Sequence, residues 1–146
     1  NASIAGDTSA GGLARLPRLL AQHDPALVVI ELGGNDGLRG QPVATLPANL
    51  TKMIELSRDS GAEVLLAGIQ IPPNYGTTYT EALSSVYPEL AERFDAPLVD
   101  FILADVALNR ELMQPDGIHP NAAGQKIVFA NVWRVLSPLL TLRDAG

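Results

Sequence analysis

Three apolar runs without polar alternation divide the chain. Residues 27–32, 64–69 and the shorter 97–101 are rich in Val, Leu and Ile. An unbroken run of this kind is how a strand buried on both faces reads. Between the runs, apolar residues recur at helical spacing. They are Leu13, Leu16 and Leu20; Leu46, Leu50, Met53 and Ile54; Leu83, Val86, Leu90 and Phe94; and Val128, Val132, Val135 and Leu139. Thr8 or Ser9 is available to cap the first helix and Gly61 to close the second. Pro17 is expected to kink the first helix or reset its start. The opening residues, to about Ile4, read as the tail of a further strand. Strands alternating with helices predict an α/β fold with a parallel sheet. No repeat, low-complexity tract or linker interrupts it, so residues 1–146 form one domain or a piece of one.

Composition narrows the partners. Apolar residues make up 47% of the 146, enough for a real core, and the formal charge is −6. With no cluster of Lys or Arg, the chain is not expected to bind nucleic acid or anionic membrane surfaces. No apolar run approaches the ~20 residues a membrane span requires, so no stable membrane insertion is expected. There is no cysteine, which removes disulfides, thiolate zinc sites and a thiol nucleophile together. Two histidines without cysteine imply no metal site, and no phosphate-binding glycine loop is present.

In open α/β sheets, ligands bind beyond the carboxyl ends of the strands, and three loops there carry unusual chemistry. Gly6-Asp7-Thr8-Ser9 allows close backbone approach at a helix start, or is a plain turn with capping residues. Gly33-Gly34-Asn35-Asp36-Gly37 places a side-chain amide beside two glycines. It reads either as a donor for a developing oxyanion or as a tight turn. Asp116-Gly117-Ile118-His119-Pro120-Asn121 sets an acid three residues before a histidine. Asp116 can turn back and accept from His119 Nδ1, fixing tautomer and orientation for proton transfer. The alternative is a surface loop in which Asp116 and Asn121 act as caps. His23, at a helix end, reads as structural.

Each motif alone is an ordinary loop, but their order and spacing are not. The set Gly6-Asp7-Thr8-Ser9, Glu31-Leu32-Gly33-Gly34-Asn35-Asp36 and Asp116-Gly117-Ile118-His119-Pro120 resembles the GDSL/SGNH hydrolases. Residues 12–17, 35–40 and 73–76 look like the branch containing thioesterase I, lysophospholipase L1 and arylesterases. The resemblance implies a flavodoxin-like three-layer α/β/α sandwich and a serine hydrolase of esters or thioesters that needs no cofactor. It assigns Asp116 and His119 as acid and base, and Gly6 and Asn35 to the oxyanion hole. Leu38 and Pro73 are candidates for the surface that receives an acyl chain. A periplasmic or secreted location follows by analogy with the same branch.

The family's serine block has no counterpart in residues 1–146. Reading Gly6-Asp7-Thr8-Ser9 as that block would put Thr8 in the serine's slot and leave no separate oxyanion glycine before Gly33. The expectation is therefore an SGNH domain that is incomplete at its N-terminal side. Its nucleophile and first central strand would lie in a separate chain or upstream segment, and residues 1–146 alone would be inactive and poorly stable. The competing expectations are a non-catalytic binding domain on the same fold and a receiver-like module. The second fits poorly, because the first full strand ends in Gly-Gly-Asn rather than paired acids.

Overall fold

The computed structural model describes residues 1–144, with side chains to Thr141. Among these residues three strands form a parallel sheet in sequence order: β1 (Leu27–Ile30), β2 (Glu63–Ala67) and β3 (Leu98–Val99). Val28 lies opposite Val64, Ile30 opposite Leu66, and Ala67 opposite Val99. Among the described residues five helices accompany them: α1 (Ser9–His23), α2 (Gly34–Leu38), α3 (Thr45–Asp59), α4 (Thr77–Phe94) and α5 (Ala122–Asp144). A 3-10 turn, Pro73–Tyr75, precedes α4.

The strand period of two sorts the sheet residues. Val28, Ile30, Val64, Leu66 and Leu98 face one way, into a core built with Leu16 and Leu20 of α1, Leu50 and Ile54 of α3, and Leu83 and Leu90 of α4. Val29, Leu65, Ala67 and Val99 stand on the opposite pleat. Helix α5 packs against β3. The result is an α/β/α arrangement, as expected from the alternation of patterns.

Local chemistry explains the helix ends. Thr8 Oγ1 accepts from Gly11 N–H and caps α1. After α3, Gly61 (φ 87°) donates its N–H to Arg58 O and Ala62 donates to Ser57 O, closing the last turn. Three expectations need correction. Helix α1 runs unbroken through Pro17, so the proline does not reset its start. Residues 1–4 are not strand, and Ile4 is exposed, because a strand exists only by laddering to a neighbour and none among the described residues pairs with them. The run at 27–32 is not buried on both faces: Val29 is 45% exposed. Among the described residues strand β1 pairs with β2 on one edge only, and its second face lacks the cover that β2 receives.

The second uncovered surface is on α5. Phe129 and Trp133 are both exposed and stack with ring centroids 5.6 Å apart. No helix among the described residues is long and apolar enough to cross a membrane.

Candidate active site

The segment between β3 and α5 is a chain of turns pinned at several points. Asn131, buried on α5, donates its amide to Ile102 O at 3.2 Å and Ala104 O at 2.9 Å. Asn121 accepts from Ala123 N–H and Gly124 N–H at the start of α5, and donates to Glu111 O at 2.8 Å. Asn121 is thus the cap its position suggested. Gln114 N–H reaches His119 O at 2.7 Å, and Gly117 N–H reaches Gln114 O at 2.9 Å. Gly117, at φ 68°, adopts a conformation that side chains resist and turns the loop back on itself.

That reversal brings Asp116 Oδ2 within 2.7 Å of His119 Nδ1. The other carboxylate oxygen accepts from the N–H groups of Ile118 (2.9 Å) and His119 (3.0 Å). The imidazole hydrogen bond, followed by the two backbone donors, holds the Asp116 carboxyl down at about 2. An ionised acid with both oxygens occupied is a fixed orienter of the ring. The His119 side chain is 68% exposed, so its Nε2 edge is open to a reacting group.

Gly6 and Asn35 form a second group. Residues 33–37, expected as a loop, are the N-cap Gly33 and most of the short helix α2, which three residues separate from the end of β1. Gly33 takes φ 121°, and a methyl group added there would overlap Tyr87 Oη. Tyr87 is fully buried and donates to Leu32 O at 2.8 Å. Its phenol is pushed upward by burial and then by the charges of Asp36 and Glu31, so it stays a donor. Gly33→Ala is expected to destabilise the protein by about 3 kcal/mol, from backbone strain and overpacking together. Chemical denaturation measures this; a loss below about 1 kcal/mol would contradict the packing described.

Asn35 is half-buried, and its side-chain amide donates to no other group among the described residues. Gly6 sits in a turn closed by Asp7 N–H to Ile4 O at 3.2 Å, and its own N–H likewise has no partner among them. Arg39 donates to Gly6 O at 2.8 Å, and Ser9 bonds Asp36, so the Gly6 and Asn35 blocks are tied together. No hydrogen bond joins them to the Asp116–His119 loop among the described residues. Leu38 ends α2 and is joined through its carbonyl to Tyr75 Oη at 3.2 Å, in the turn that begins at Pro73. Two concavities lie elsewhere: one of about 340 Å³ between α3 and α4, lined by Thr51, Glu89 and Arg93 among others, and one of about 250 Å³ beside β3 and α5.

Comparison with known proteins decides the family. The sequence profile of the GDSL-like lipase/acylhydrolase family matches residues 1–127. The chain belongs to that family. Esterase TesA of Pseudomonas aeruginosa is 59% identical over 96% of this chain and 70% of its own length. Thioesterase 1/protease 1/lysophospholipase L1 of Escherichia coli K12 is 48% identical, over 96% of this chain and 67% of its own. The chain thus spans about two thirds of the length of these curated relatives. A crystal structure of TesA superposes with a TM-score of 0.92 at 58% identity, covering 95% of this chain and 77% of that one. The SGNH hydrolase fold expected from the motifs is therefore the fold of this acylhydrolase. Sequence reading missed two of its residues, Asp36 and Arg39, which bind the Gly6 and Asn35 blocks together. Their signal was their place in residues 35–40, one of the segments that carry the resemblance.

Proposed function

We propose that the chain carries the base end of a serine ester and thioester hydrolase. Asp116 and His119 act on a serine supplied by a segment outside residues 1–146. The observation that carries this reading is the 2.7 Å Asp116–His119 contact, with the acid fixed by two backbone donors. His119 Nε2 removes the serine proton as Oγ attacks the acyl carbonyl. Gly6 N–H and the Asn35 amide receive the oxyanion. The tetrahedral intermediate collapses as His119 gives the proton to the departing alkoxide or thiolate. Water then repeats the sequence to free the acid. Leu38 and the Pro73 turn receive the acyl chain, as the Tyr75–Leu38 bond joining them supports. Esterase and thioesterase relatives favour a small acyl ester or thioester as substrate, and an exported location accompanies the reading.

The open edge of β1, the exposed Val29 and the uncovered Phe129–Trp133 pair support a serine-bearing segment that adds a strand beside β1. Fluorophosphonate labelling of the parent protein, residues 1–146 with that segment present, is the test. Labelling is expected on a serine outside these residues. Stoichiometric labelling at Thr8 or Ser9 would overturn the assignment. Ser9, fully buried and bonded to Asp36 and Asn49, is ill placed for it.

Two further outcomes follow. Asn35→Ala is expected to lower kcat by about 10²–10³-fold with little change in KM, the usual effect of losing one oxyanion donor. In the pH profile, Asp116 stays ionised far into acid because its carboxyl is held at about 2. The acid limb of kcat/KM should therefore carry no second ionisation from Asp116. A two-proton limb above pH ~4, the ordinary range of an unshifted aspartate, would contradict the pairing.

A further inference from the structure

A bracket of hydrogen bonds joins the two oxyanion elements and has no part in the steps above. Asp36 follows Asn35 and is 1% exposed. Its carboxylate accepts from Ser9 N–H at 2.8 Å and from the Ser9 hydroxyl. Ser9 opens α1, three residues after Gly6, and Asn49 of α3 donates to Ser9 Oγ at 2.9 Å. The second arm is Arg39. Its N–H bonds Asn35 O at 3.2 Å, while its guanidinium bonds Gly6 O at 2.8 Å. Asp7, next to Gly6, is held in turn by Arg15 at 2.6 Å.

Burying a carboxylate between two helices is costly when apolar packing would join them equally well. The N-terminal turn of α1 and a hydroxyl offset that cost here. What the carboxylate adds over an apolar contact is direction. It fixes the start of α1 against α2 at two atoms, and Arg39 fixes the Gly6 peptide at a third.

We propose that Asp36, assisted by Arg39, is a positioning residue that sets the Asn35 amide and the Gly6 N–H in register as one oxyanion hole. The proposal rests on the oxyanion roles given to Gly6 and Asn35 above. The two donors come from separate elements, and misplacement by ~1 Å can cost ~10²-fold in rate. Asp36→Asn keeps the volume but turns an amide N–H toward a donor. It is expected to lower kcat of the parent protein on p-nitrophenyl butyrate by roughly 10- to 100-fold, with KM changed less than about twofold. Arg39→Ala, at an exposed position, should cost roughly 10-fold in kcat.

The deciding measurement is the cycle with Asn35→Ala. If Asp36 acts through the donors, Asp36→Asn in the Asn35→Ala background costs no more than about threefold further. Losses that multiply in full would overturn the proposal, as would full activity in both Asp36→Asn and Arg39→Ala beside a large loss in Asn35→Ala. Should Asp36→Asn melt below the assay temperature, Arg39→Ala carries the same cycle. An Asn35→Ala protein with unchanged kcat refutes the oxyanion reading itself, and the proposal falls with it.

Discussion

His119→Ala in the parent protein is expected to lower kcat by about 10⁶-fold, the scale seen when the base of a nucleophile–base unit is removed. In the proposed mechanism the imidazole is the one group that moves the proton in both half-reactions, so no remaining residue substitutes for it. Folding should be indifferent to the change. The ring is largely exposed, its side-chain bond is to Asp116, and the Gln114–His119 backbone bond survives in alanine. An exposed position of this kind moves stability by about 0.5 kcal/mol at most. Steady-state hydrolysis and a denaturation curve on the same preparation check both halves. Activity within 100-fold of the unsubstituted protein would remove His119 from the mechanism.

Asp116→Asn is expected to cost about 10⁴-fold in kcat, through the tautomer rather than through lost contacts. The asparagine oxygen can still accept from Ile118 and His119 N–H, as Asp116 Oδ1 does. Its NH₂ then occupies the place of Oδ2 and donates to His119 Nδ1. That forces the ring proton onto Nε2, the atom that the proposed mechanism needs free to take the serine proton. A ¹⁵N spectrum of the imidazole should show the tautomer exchanged. A variant that kept the original tautomer and still lost activity would point to charge on Asp116 as the larger factor.

How much was legible in the sequence depends on the distance over which each feature is built. The Asp116–His119 contact spans three residues and a glycine, so spacing allowed it, and the order of the three motifs favoured it over a plain surface loop. Strands β2 and β3 came from unbroken apolar runs and the four long helices from periodicity, both of which local residue type encodes. The Asp36–Ser9 and Arg39–Gly6 bonds join residues 27 and 33 apart, and no local pattern reports them. The one-turn helix α2 was hidden by Asn-Asp-Gly, whose turn preference is overridden by the bonds that anchor Asp36. Val29 was misjudged because an apolar run reports what a strand could bury, not what covers it.

The stacked pair on α5 has a spectroscopic consequence. Trp133 is the single tryptophan in the sequence and is 45% exposed. Its emission is therefore an unmixed optical signal from one face of the molecule. In the state described here the indole should emit to the red and be quenched by small solutes. If the proposed segment seals that face, emission should move to the blue and quenching should fall. The chain carries its own optical reporter, and binding of the proposed serine-bearing segment could be followed without adding a label.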